Sequence, residues 1–91
     1  MDELKQTFKL TYAYGLHARP CAALVSLVKP FSSKVKLVNG SEKADTHSIL
    51  EMLFMGIQSG DVTFEAEGED AEKVLQKIGE FINMLNTEKH W

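Results

Sequence analysis

The chain has 91 residues, enough for one domain and not for two. Such a chain buries roughly 60–70% of its unfolded surface, so it needs neither disulfides nor metal to hold a core. An apolar fraction of 44% against 25% charged residues is a globular balance rather than a disordered one, and a formal net charge of −3 argues against a nucleic-acid binder.

The single cysteine rules out an intramolecular disulfide and suggests a reducing compartment. No apolar run approaches the roughly 20 residues of a membrane span. Met1-Asp2-Glu3-Leu4-Lys5 lacks the apolar core of a secretory leader, so a cytoplasmic location is expected.

Thr7-Phe8-Lys9-Leu10-Thr11-Tyr12 alternates polar and apolar residues, which predicts a half-buried strand with Phe8, Leu10 and Tyr12 inward. Gly15-Leu16-His17-Ala18-Arg19-Pro20 follows, and it leads into a helix whose apolar stripe is Cys21, Leu24, Val25 and Val28. Pro30 disfavours helical geometry at Lys29 and should end it. Lys34–Val38 is a second strand. Asn39-Gly40 signals a tight hairpin into a short third strand, Glu42–Asp45.

Ser48 and Glu51 fit a capping box, with Ser48 as N-cap and Glu51 reaching back to it. The short helix they start should stop at Gly56. Asp61–Glu67 alternates as a fourth strand. Asp70 is expected to cap a last helix with a stripe of Ala71, Val74, Leu75, Ile78, Ile82 and Leu85, weakened at Gly79. The tail from Asn86 to Trp91 reads as a frayed end. The order β-α-β-β-α-β-α, with strands polar on one face, predicts an α+β two-layer sandwich with one sheet face open to water.

The hexapeptide Gly15–Pro20 carries the chemistry. His17 stands just before a helix start, two residues from Arg19, so an imidazole, a guanidinium and helix N-terminal N–H groups should meet at one point. That set suits an anion, phosphate above all. A phosphoryl-accepting histidine must be neutral, and both a helix N-terminus and a nearby arginine disfavour a charged ring. Phosphoryl transfer then asks mainly for positioning and electrostatics. Gly15 permits a loop conformation other residues resist and keeps the approach to His17 open. On spacing alone, a plain loop histidine beside a surface cation explains the same residues.

Gly15-Leu16-His17-Ala18-Arg19-Pro20 resembles the active-site motif of the HPr family, the histidine phosphocarriers of the bacterial phosphoenolpyruvate-sugar phosphotransferase system. Ala44-Asp45-Thr46-His47-Ser48-Ile49-Leu50 and Met55-Gly56-Ile57-Gln58-Ser59-Gly60-Asp61 resemble the family's second segment. The likeness covers nearly the whole chain as one HPr-like domain over residues 1–91. It implies a four-stranded antiparallel sheet with three helices on one face. It implies that His17 takes a phosphoryl group on Nδ1 from phosphorylated Enzyme I and passes it to an Enzyme IIA, with Arg19 steadying the group and backbone N–H groups of Ala18 and Arg19 helping. The protein is then a phosphotransfer intermediate rather than an independent catalyst.

The resemblance further implies an interface of Ala22, Ser26, Lys29, Ile49, Leu50 and Leu53. It offers Ser48 as a regulatory phosphosite for an HPr kinase/phosphorylase, although a cap alone explains that residue and Glu51 opposes added negative charge. Tyr14 departs from the small polar residues common at its position. A regulatory paralogue of the nitrogen-related branch, or a binding domain that is never phosphorylated, would share these features. His17 and Cys21 could share a metal, but two ligands make no site, and His47 and His90 have no matching pattern. No metal, cofactor, nucleic acid or membrane insertion is expected, and the chain should be a monomer.

Overall fold

The computed structural model describes residues 3–87; Met1, Asp2 and the segment 88–91, with His90 and Trp91, lie outside the described residues. The elements in chain order are β1 (Glu3–Leu10), α1 (Ala18–Val28), β2 (Lys34–Asn39), β3 (Glu42–Asp45), α2 (Ile49–Met55), β4 (Gly60–Glu67) and α3 (Ala71–Thr87). The strands form one antiparallel sheet in the order β1-β4-β2-β3. This is the expected α+β sandwich.

The register puts the apolar residues on one face. Phe64 of β4 lies opposite Leu37 of β2, Val62 opposite Phe8 of β1, and Ala44 of β3 opposite Leu37. Phe64, Leu37, Val62 and Ala44 are all buried beneath the helices. Helix α3 supplies its whole stripe from Ala71 to Leu85, and it adds Phe81. Burying a side chain such as Phe64 stabilises the fold by about 1.5–3 kcal/mol. Gly79 is more than a weak helix position. A Cβ there would stand 2.9 Å from the ring of Phe8, so its bareness admits that ring between α3 and the sheet.

Several local expectations are corrected. Strand β1 starts earlier and stops at Leu10, which leaves Tyr12 buried in the following loop. The stop has a tertiary cause: Asn86 of α3 donates from Nδ2 to the Lys9 carbonyl at 2.8 Å and accepts the Thr11 N–H at 2.7 Å. Asn86 therefore belongs to an ordered helix end, not to a frayed tail. The hairpin turn is Gly40-Ser41 rather than Asn39-Gly40, because Asn39 pairs with Glu42 in the ladder. Gly40 takes φ +62°, as the first central position of a type II′ turn requires.

Ser48 does cap α2, accepting the Glu51 N–H at 3.2 Å, but the box stays half open. The Glu51 carboxylate accepts the Asp45 N–H at 3.0 Å, while the Ser48 N–H donates to the Asp45 carbonyl. Asp70 precedes α3 as expected, yet its carboxylate accepts the Ser32 and Ser33 N–H groups and the Ser33 hydroxyl, tying α3 to the loop before β2. Glu65 faces the open side of the sheet but is only 5% exposed. Lys43 at 3.0 Å and Lys5 at 3.3 Å cover it.

Candidate functional site

The segment between β1 and α1 builds the site. A turn closes from the Gly15 N–H to the Tyr12 carbonyl at 3.1 Å. Gly15 then takes φ +64°, and the Leu16 N–H donates to the Ile57 carbonyl at 3.0 Å. That φ is the conformation expected of glycine here, and the neighbouring loop adds a second requirement. A Cβ would stand 2.3 Å from the Ile57 oxygen, so only glycine lets this loop lie against the one after α2.

His17 follows with extended backbone (φ −86°, ψ −169°) and occupies the N-cap of α1. Its carbonyl accepts the first helical bond, from Cys21 N–H. Its side chain makes no capping hydrogen bond, so the imidazole is left for other work. The ring is half-buried, and Ala18 and Arg19 beside it are exposed. Pro20, third in the helix, has no N–H to offer, so the N–H groups of Ala18 and Arg19 form the positive end of α1.

Two tyrosines frame the imidazole. Tyr12 is buried and stacks on His17 with ring centres 5.9 Å apart and planes at 29°. Its hydroxyl lies 3.4 Å from His17 Nε2. Tyr14 is 70% exposed and meets His17 edge-on at 6.4 Å. Tyr12 was visible in the sequence only as an inward strand residue. Its partnership with His17 depends on the turn that folds the chain back.

Helix α2 lies alongside α1 and presents exposed Ile49, Leu50 (65%) and Phe54 (85%), with Leu53 half-buried. Met52 points into the core and Met55 packs partly against it. Ala22 and Ser26 on α1 and Lys29 at its C-cap are exposed. Phe54 is the most exposed of these apolar side chains. The interface implied by the resemblance, with Ile49, Leu50 and Leu53 from this helix, did not include it. The Ser48 hydroxyl is half-buried and engaged as the α2 cap.

Cys21 is fully buried, with its thiol toward the Leu16 carbonyl at 3.5 Å. Burial pushes that thiol up to about 11. It therefore neither pairs with His17 nor acts as a nucleophile. His47 binds Asp45 instead, through its N–H at 2.9 Å and Nδ1 at 3.2 Å. Among the described residues, no three His, Cys, Asp or Glu side chains gather as metal ligands, and no helix is long and apolar enough to cross a membrane.

Residues 4–84 match the family model described as the PTS HPr component phosphorylation site. The multiphosphoryl transfer protein of Haemophilus influenzae is 39% identical over 80 residues, covering 84% of this chain and 16% of that protein. The chain thus spans a small part of such relatives' length. The phosphocarrier protein HPr of Mycoplasma capricolum is 33% identical over 70 residues, covering 77% of this chain and 79% of that protein. The crystal structure of HPr-C-His from Thermoanaerobacter tengcongensis superposes with a TM-score of 0.82 at 30% identity, covering 97% of this chain and 98% of that one. By motif, by sequence and by fold, this chain belongs to the HPr family of the phosphotransferase system.

Proposed function

We propose that His17 accepts a phosphoryl group on Nδ1 from phosphorylated Enzyme I and passes it to an Enzyme IIA. The observation that carries this is the placement of His17: an N-cap residue whose side chain does no capping, partly exposed at the positive end of α1. Arg19 and the N–H groups of Ala18 and Arg19 are suited to hold the added charge, since charge-assisted hydrogen bonds are the strong ones. The exposed Ala22, Ser26, Lys29, Ile49 and Leu50 and the half-buried Leu53, with Phe54 beyond them, form the surface proposed to dock both partners.

The test is to mix the protein with Enzyme I and phosphoenolpyruvate. An acid-labile, base-stable phosphoryl group should appear and should vanish in His17→Ala. Transfer that survives His17→Ala would refute the assignment. Transfer onward to an Enzyme IIA of a sugar permease, rather than of a regulatory branch, would place the protein in sugar uptake.

A second phosphorylation, at Ser48, is the regulatory reading. It has in its favour that Glu51 directs its carboxylate at the Asp45 N–H rather than at Ser48. Incubation with HPr kinase/phosphorylase and ATP should then yield an acid-stable phosphoserine that Ser48→Ala abolishes. No incorporation would leave Ser48 as a cap.

A further inference from the structure

Tyr12 lies outside the hexapeptide, yet its hydroxyl reaches the reacting imidazole. The residue is only 5% exposed, and its carbonyl closes the turn onto Gly15. Its ring stacks on His17, its hydroxyl lies 3.4 Å from Nε2, and Tyr14 packs edge-on against both rings, at 5.5 Å from Tyr12 and 6.4 Å from His17. A buried tyrosine hydroxyl normally finds a hydrogen-bond partner, and here that partner is the imidazole. The contact is long, as hydrogen bonds at unliganded sites often are before a partner tightens them.

We propose that Tyr12 is a positioning residue for phosphoryl transfer: its hydroxyl oxygen accepts the Nε2–H of neutral His17 and so holds the ring in the tautomer whose lone pair is on Nδ1. The role rests on the reading that His17 is phosphorylated at Nδ1. A neutral imidazole carries one N–H, and the partner of one nitrogen decides what the other can do. In the transfer step the Nδ1 lone pair forms the bond to phosphorus. The bond from phosphorus to the donor protein breaks, and its electron pair stays with the donor. The proton remains on Nε2, so the ring becomes cationic beside the anionic phosphoryl oxygens. The Tyr12 oxygen at Nε2–H and the Tyr12 π-face then stabilise that cation, a cation–π contact added to a hydrogen bond. Onward transfer runs the same step in reverse.

The test is the ring ¹⁵N spectrum at a pH of about 8, where histidine is neutral. The wild type should show Nε2 protonated and Nδ1 bare, with an Nε2–H that exchanges slowly with water. Tyr12→Phe should show mixed tautomers and accept phosphoryl groups roughly 3–10-fold more slowly, the effect of one ordinary hydrogen bond. Its thermal midpoint should show that the fold is kept. Should that variant fail to fold, the wild-type spectrum decides: a protonated Nδ1, or a rapidly exchanging Nε2–H, overturns the proposal. An unchanged tautomer and rate in a folded Tyr12→Phe overturns it too. A wild type that accepts no phosphoryl group removes the carrier reading and this role together, whereas an active wild type with an unmoved tautomer removes only the role of Tyr12.

Discussion

At the residue scale, the site separates the proposed phosphoryl acceptor, His17, from a buried neighbour four positions on. His17 keeps its imidazole out of the cap, while Cys21 sends its thiol into the core. Arg19 is exposed at the helix start, where a guanidinium can meet a phosphoryl group without supporting the core. Arg19→Ala should therefore slow phosphoryl acceptance by about 10–100-fold, the worth of a hydrogen bond to a charged group, with an unchanged circular dichroism spectrum. Loss of the fold would make Arg19 structural instead. Cys21, raised to about 11 by burial, should not react with a thiol reagent at neutral pH until denaturant unfolds the chain. Labelling of the native protein at the rate of a free thiol would contradict the buried placement.

At the scale of elements, the loop that carries His17 is held from outside itself. Leu16 bonds to Ile57 in the loop after α2, and Gly15 makes the close approach by having no Cβ. Gly15→Ala meets both the Ile57 carbonyl and an unfavourable φ of +64°. It should cost about 1–3 kcal/mol in a denaturant titration. Phosphoryl acceptance should fall as well, because the turn that brings Tyr12 to His17 shifts with it. Element identity was legible from pattern: the stripe of α3, the alternation of β4 and the Gly56 stop all rest on local rules. The end of β1 and the partner of the Glu51 carboxylate were not legible. The end of β1 is set by Asn86, 77 residues away from Lys9 along the chain, and the half-open box at Ser48 is set by the Asp45 N–H competing for Glu51. Such competitors are invisible until the chain has folded.

At the scale of the molecule, the sheet face away from the helices is a lattice of alternating charge. Lys5, Glu65, Lys36 and Asp45 stand in register across all four strands, and opposite charges on facing positions stabilise a sheet. Glu65, at the centre, is held below the usual glutamate range mainly by its hydrogen bond from Lys43. Asp70, at the start of α3, is lowered mainly by the Ser33 hydroxyl, with the Ser32 N–H next. Both carboxyls ionise more readily folded than unfolded. Their contribution to stability is therefore complete above the ordinary carboxylate range and is lost as pH falls through about 4 toward their folded values. The thermal midpoint should drop on that acid limb, and Glu65→Gln with Asp70→Asn should flatten it. A double variant with an unchanged acid limb would show that other carboxylates govern it.

Periodicity, capping residues and the hexapeptide by themselves determined the element order, the core stripes and the placement of His17 at a helix start. These follow from interactions within a few residues along the chain. Tertiary structure alone decided what surrounds the imidazole. Tyr12, expected within a strand, becomes its stacked partner because Gly15 turns the chain locally while Asn86 holds the end of β1 and Ile57 receives the loop, two contacts between segments that only folding brings together.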